Sequence, residues 1–85
     1  MSWDQIKHRY TPIGDHMSFW ACIDRDGVWC DSSVSFEVAV HWCAMDCGAG
    51  CDLSFEQEVA AMATNGYSIV HSDMLRKLAD AGLIQ

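Results

Sequence analysis

One histidine and three cysteines are closely spaced in the motif His41-x-Cys43-x3-Cys47-x3-Cys51. If this segment begins in an extended conformation, His41 and Cys43 project from the same face of a strand. Two glycines between the last two cysteines would allow the following loop to turn toward them. Imidazole and thiolate ligands in a tetrahedron suit zinc. His41, Cys43, Cys47 and Cys51 are therefore candidate zinc ligands, although their spacing matches neither zinc knuckles nor the common iron–sulfur motifs.

The same segment also suggests a nucleophilic site. Cys47 or Cys51 beside His41 would pair a thiol with a base, and Asp46 or Asp52 would orient the imidazole ring. Acidic neighbours, however, disfavour the thiolate that such chemistry needs. A cysteine-dependent enzyme is the hypothesis that these residues would support.

The number of cysteines limits what they can do together. The chain has five, and an odd number cannot be paired completely into disulfides. Cys22 and Cys30 would face each other across a predicted hairpin and form a second candidate pair of ligands. The alternative to any metal is a set of reduced, partly buried thiols that pack as small hydrophobic side chains.

The element that would hold His41 and Cys43 is a predicted strand over residues 34–42. Apolar side chains alternate with small or polar ones in this segment, as expected for a strand with one buried face. The apolar set is Val34, Phe36, Val38, Val40 and Trp42. His41 and Cys43 would then share the opposite face with Glu37.

The strongest turn signal is Asp24-Arg-Asp-Gly27, which lies within a predicted hairpin over residues 18–31. A three-residue loop with a left-handed glycine at position 27 gives three cross-strand pairs: Asp24 with Val28, Ile23 with Trp29, and Cys22 with Cys30. A two-residue turn would instead place Cys30 opposite Ile23. The first register puts Phe19, Ala21, Ile23 and Trp29 on one face, with Trp20, Cys22, Val28 and Cys30 on the other.

The C-terminal half predicts two helices, at about residues 54–64 and 73–81. Ser54 and Gln57 form a capping box, Ser72 is a second N-cap, and a glycine follows each helix. Residues 67–70 are either a short strand or an extended connector, and residues 2–10 form a short helix before a loop at 11–16. The sequence therefore predicts one α+β domain over residues 1–85, with an antiparallel sheet and both C-terminal helices on one face of it.

The segment Leu75-Arg-Lys-Leu-Ala-Asp-Ala-Gly-Leu-Ile84 resembles the end of a recognition helix in winged-helix regulators. That resemblance implies a following β-wing and basic side chains for a DNA groove. The printed sequence ends at Gln85, and Arg76 and Lys77 are the only bases in the segment. A core helix is the preferred interpretation.

The charge of the chain is strongly negative. Its formal net charge is -7, and residues 14–54 hold seven acidic residues against a single base, Arg25. A negative field repels phosphate backbones and attracts basic partners, so direct nucleic-acid binding is disfavoured. No apolar run is long enough for a membrane span, and no signal peptide is recognised, so a cytoplasmic protein is expected.

The preferred hypothesis is a small acidic, non-enzymatic protein-binding module. It would act as an antagonist or regulator that occupies a basic surface of a nucleic-acid-handling complex, by class analogy with phage inhibitors such as anti-CRISPR proteins. Such a protein would act in the host cytosol. Aromatic anchors among charges are typical of interfaces, and the candidate partner-binding residues are Trp20, Asp24, Asp26, Trp29, Asp31 and Glu37. The alternative is a zinc-stabilised regulatory or adaptor domain; the preferred module needs no cofactor.

Overall fold

The computed structural model describes residues 2–7, 18–50 and 52–85. Four helices and three strands occupy these ranges. In chain order they are α1 (Trp3–Ile6), β1 (Trp20–Ile23), β2 (Trp29–Ser33), α2 (Phe36–Asp46), α3 (Phe55–Thr64), β3 (Ser68–His71) and α4 (Ser72–Asp80). The predicted loop at 11–16, and the part of the predicted N-terminal helix beyond residue 7, lie outside the described residues.

The three strands form one antiparallel sheet in the order β2-β1-β3, which confirms the α+β class. The segment at residues 67–70 contributes a strand, β3, which pairs with β1. The central strand β1 is therefore hydrogen-bonded on both edges, and its two faces are available for helices.

The hairpin turn forms as the three-residue loop predicts. The amide of Asp24 donates to the carbonyl of Val28 at 2.9 Å, and Gly27 takes the left-handed conformation with φ 78°. Ile23 pairs with Trp29, as expected, but a β-bulge follows and Cys22 lies opposite Asp31 instead of Cys30. The bulge adds one residue to β2, so the predicted backbone pairing of Cys22 with Cys30 is wrong.

The segment predicted as a strand over residues 34–42 is instead the helix α2, and this prediction was wrong. Ser35 is the N-cap, and its hydroxyl accepts a hydrogen bond from the amide of Val38 at 3.3 Å. The buried residues of α2 are Ala39, Val40, Cys43 and Ala44, which is the spacing of one helical face. Small side chains on that face allow the helix to pack closely against the sheet.

The helices cover both faces of the sheet, so the prediction that the two C-terminal helices share one face was wrong. One core contains Phe19, Ala21, Ile23, Trp29, Leu75 and Ala79, and it joins the sheet to α1 and α4. The other contains Cys22, Val40, Cys43 and Met62, and it joins the sheet to α2 and α3. Alternate residues of β1 supply the two cores, because successive side chains of a strand point to opposite faces.

The two C-terminal helices begin and end close to their predicted limits. α3 has the predicted capping box of Ser54 and Gln57. α4 begins one residue earlier than expected: His71 is its N-cap, and its Nδ1 accepts from the amide of Asp73 at 3.3 Å. Leu75 and Ala79 are fully buried, which fits a core helix. Among the described residues, no helix has the length and apolar content needed to cross a membrane.

Candidate protein-binding face

The structure describes three of the four predicted zinc ligands, and it does not bring His41 and Cys43 together. Residues two apart on an α-helix point roughly 200° away from each other, so His41 and Cys43 leave α2 on different sides. Cys43 is buried against the sheet, and the Sγ of Cys47 donates to the carbonyl of Ala44 at 3.1 Å. Cys51 lies outside the described residues. Within the described ranges, no group of three or more His, Cys, Asp or Glu side chains has the geometry to hold a metal ion.

His41 has a structural contact across the helix pair. Its Nδ1 lies 2.6 Å from Oε2 of Glu58, a carboxylate that is almost completely buried on α3. This contact joins the middle of α2 to α3. Glu58 is the only buried acidic residue among the described residues, and His41 provides its hydrogen-bond partner. The described partner of His41 is therefore Glu58, on the neighbouring helix.

α2 and α3 lie side by side and run in the same direction. The Phe36 and Phe55 rings meet near the two N-termini with centroids 6.1 Å apart. Near the C-termini, Nδ2 of Asn65 lies 3.9 Å from Sγ of Cys47. With the His41–Glu58 contact between them, these pairs define a helical layer on one face of the sheet.

Only two of the six predicted partner-binding residues are exposed, Asp26 and Glu37. Trp29 is 2% exposed and stacks between Trp3 and Phe19, so it cannot anchor a partner in this fold. Trp20 is half-buried, and its ring makes T-shaped contacts with the rings of Phe36 and His71. The other two acids accept hydrogen bonds from nearby backbone amides. Asp24 Oδ1 accepts from the amides of residues 26 and 28, and Asp31 Oδ1 accepts from the amide of residue 32.

The outer face of α2 carries apolar side chains that the sheet does not cover. Val34 precedes the N-cap Ser35, and Val38, Trp42 and Met45 follow at helical spacing. Their exposed fractions are 60%, 41%, 46% and 43%, respectively. We call Val34, Val38, Trp42 and Met45 the α2 stripe. On α3, Phe55 and Val59 are also exposed. Exposed apolar side chains at helical spacing are one feature of association surfaces, so these residues form the candidate binding face.

The charges of the helical layer have one sign. Residues 36–64, which contain α2, α3 and their connection, include Glu37, Asp46, Asp52, Glu56 and Glu58 and no lysine or arginine. All of these acids except Glu58 are exposed. The opposite layer is mixed: its described charges are Asp4, Lys7, Asp73, Arg76, Lys77 and Asp80. The α2 stripe therefore lies in an acidic field, and complementary surfaces would be basic.

Val34, Val38 and Trp42 of the α2 stripe belong to the alternating pattern that predicts a strand over residues 34–42, whereas the segment is a helix. The alternating residues at even positions from 34 to 42 divide into two sets when the segment forms a helix. Phe36 and Val40 point toward the sheet, and Val34, Val38 and Trp42, each four residues apart, point away from it. The signal that would have found the stripe is the N-cap Ser35, which marks a helix start.

Comparison of this chain with protein-family models, with curated proteins and with solved structures gives no match.

Proposed function

We propose that this protein is a non-enzymatic protein-binding module whose α2 stripe occupies a basic, partly apolar surface of a partner protein. The observation that carries the proposal is an exposed tryptophan, Trp42, on a helical layer that has five acidic residues and no lysine or arginine. Such a face offers both an apolar anchor and a negative field to the same partner.

Trp42 is the anchor of the proposed interface. Tryptophan is enriched among the few residues that contribute most of the energy of protein association. Val38 and Met45 lie one helical turn to either side of it, and would exclude water from the contact. Because β-branched and aromatic side chains lose little conformational freedom on binding, a helix that presents them is already organised for its partner.

The carboxylates provide attraction and selectivity. Glu37 and Asp46 stand exposed at the two ends of α2. Charges at the rim of an interface speed association with a partner of opposite sign and repel partners of the same sign. Surfaces lined with lysine and arginine are typical of proteins that handle nucleic acids. We therefore infer an antagonist that acts in the cytosol and blocks such a surface on a nucleic-acid-handling complex.

The proposal is tested by affinity capture with matched variants. Tagged wild-type protein, Trp42→Ala and Met74→Ala are each incubated with the same lysate, and the captured proteins are identified by mass spectrometry. Met74 is exposed on α4, in the opposite layer, and is the control. Loss of a central anchor costs about 2 kcal/mol, which is about a 30-fold weaker Kd for the captured partner. The control should bind as wild type does.

A second pair of variants tests the electrostatic part. Glu37→Gln/Asp46→Asn should slow association and reduce its dependence on salt, whereas Asp4→Asn, an exposed acid of α1, should not. Equal capture of the same partner by wild type and Trp42→Ala would refute the interface. Capture that is insensitive to salt would refute the role of the acidic field.

A further inference from the structure

Three sulfur atoms from three different elements meet between the sheet and α2. The Sγ of Cys22 on β1 lies 2.6 Å from Sγ of Cys43 on α2 and 3.3 Å from Sγ of Cys30 on β2. Cys22 and Cys43 are fully buried, whereas Cys30 is partly exposed. One residue of the cluster is therefore partly open to solvent, and its thiol contacts the buried thiol of Cys22.

The spacing of the buried pair fits a covalent bond better than simple packing or a metal site. Nonbonded heavy atoms usually stay about 3.5–4.0 Å apart. A tetrahedral zinc with Zn–S bonds of about 2.3 Å would hold its sulfur ligands about 3.8 Å apart. The separation of 2.6 Å between Sγ of Cys22 and Sγ of Cys43 is shorter than both.

We propose that Cys22, Cys30 and Cys43 form a thiol–disulfide exchange site, in which Cys30 reacts with a small organic disulfide and the oxidation is passed inward to a Cys22–Cys43 disulfide. The inference is independent of the binding function proposed above. It rests on the arrangement of the three sulfur atoms and on the different exposure of the three residues.

The exchange takes three steps. The thiolate of Cys30 attacks one sulfur of the organic disulfide, a mixed disulfide forms, and one organic thiolate leaves and takes up a proton. The Sγ of Cys22 then attacks that of Cys30, so that the Cys22–Cys30 bond forms, the mixed disulfide breaks, and the second organic thiol leaves with the Cys22 proton. Finally, Sγ of Cys43 attacks that of Cys22 and the displaced Cys30 takes the Cys43 proton.

The result balances in atoms and electrons. Two electrons pass from the Cys22–Cys43 pair to the organic disulfide, which is reduced to two thiols, and Cys30 is regenerated. Each transfer joins sulfur atoms that are already neighbours, because Cys22 contacts both of the others. The Cys22 sulfur is therefore the one through which oxidation passes from Cys30 to the buried pair.

Hydrogen bonds with Cys30 and with Cys43, together with burial, raise the pKa of the Cys22 thiol far above its usual range. These contacts hold Cys22 as a protonated thiol, so its attack on Cys30 requires that its proton pass to the departing organic thiolate as the new bond forms.

The test uses the full wild-type chain and oxidised glutathione as the organic disulfide. After incubation, the remaining thiols are alkylated, and the protein is analysed by intact mass and by peptide mapping without reduction. We expect the loss of two hydrogens, a Cys22–Cys43 link and an alkylated Cys30. The linked protein should melt about 10 °C or more above the reduced protein, because the link removes conformational freedom from the unfolded chain.

Two single variants test the order of the steps. Cys30→Ser should slow formation of the buried link by about tenfold or more, since the accessible thiol is missing. Cys47→Ser is the matched control and should react at the wild-type rate. The Cys47 thiol lies outside the cluster and donates a hydrogen bond to the Ala44 carbonyl. An equal rate for Cys30→Ser would overturn the role of Cys30.

The wild-type experiment alone decides the central point, so the proposal does not depend on the folding of a variant. Complete alkylation of all cysteines, or glutathione adducts without the buried link, would overturn it. A disulfide mapped to Cys47 or Cys51 instead would also overturn it.

Discussion

Trp42 and Trp29 show how the position of a residue on its element determines what an indole ring can do. Trp29 points into the core between Trp3 and Phe19, and its Nε1 donates to the hydroxyl of Ser32 at 2.7 Å. Trp42 points away from the sheet and is 46% exposed. An exposed indole ring of this size offers a large apolar contact area to a partner.

At the same scale, Tyr67 gives a prediction about pH. Partial burial, repulsion from the charge of Asp46 and a hydrogen bond to that carboxylate raise the pKa of Tyr67 to about 12. A raised pKa means that the folded state holds the phenolic proton more tightly than the unfolded state. This contribution to stability is complete below about pH 10 and is lost between about pH 10 and pH 12.

The measurement is the tyrosinate absorbance of wild-type protein minus that of Tyr67→Phe, followed as the pH is raised. We expect the difference signal to have its midpoint near pH 12, and Asp46→Asn to move it lower. A midpoint near pH 10 in wild-type protein would show that Asp46 and burial do not act on Tyr67.

Sequence reasoning found part of the thiol cluster and missed part of it. Hairpin pairing brought Cys22 and Cys30 together in the prediction, and their sulfur atoms do meet, although a bulge changes the backbone register. Cys43 was grouped with His41 because residues two apart share a face only on a strand. Once that segment is a helix, Cys43 turns inward to Cys22 and away from His41.

At the scale of elements, α2 is the element on which the proposed binding face depends. Its sequence contains two sets of apolar residues. Both sets would lie on one face of a strand, but they lie on opposite faces of a helix. Neither pattern alone decides between strand and helix, because β-branched and aromatic residues also favour strands. The N-cap at Ser35 and the close packing of Ala39, Cys43 and Ala44 against the sheet resolve the choice in favour of the helix.

Replacement of Ser35 tests that assignment. Ser35→Ala removes the hydroxyl that accepts from the Val38 amide, and we expect the free energy of unfolding to fall by about 1 kcal/mol. Ser35→Asp should keep the wild-type value, since aspartate is an equally good N-cap and a poor strand residue. Urea unfolding measures both. A stable Ser35→Ala together with a destabilised Ser35→Asp would indicate an extended segment instead.

Elements with local signals were easier to predict than their arrangement. The capping box of α3 and the Asp-Gly turn of the hairpin are each formed by residues that are close together in sequence, so both elements can be predicted close to their observed limits. The placement of α3 and α4 on opposite faces follows from long-range packing. It depends on which face of β1 each helix covers, and this information is not local.

At the scale of the whole molecule, the sheet separates two layers of different character. The layer of α1 and α4 has charges of both signs, and the large aromatic core lies beneath it. The layer of α2 and α3 has acids alone and leaves Val34, Val38, Trp42 and Met45 exposed. We propose that this asymmetry directs basic partner surfaces to the face formed by α2 and α3.

The most direct test of the proposed function is to map the interface by NMR. Isotopically labelled protein is titrated with the partner identified by capture, and backbone amide signals are followed residue by residue. We expect the signals of residues 34–46 to shift or broaden on binding and those of α4, residues 72–80, to remain unchanged. Changes confined to α4, with the signals around Trp42 unaffected, would contradict the assignment of the α2 stripe as the binding face.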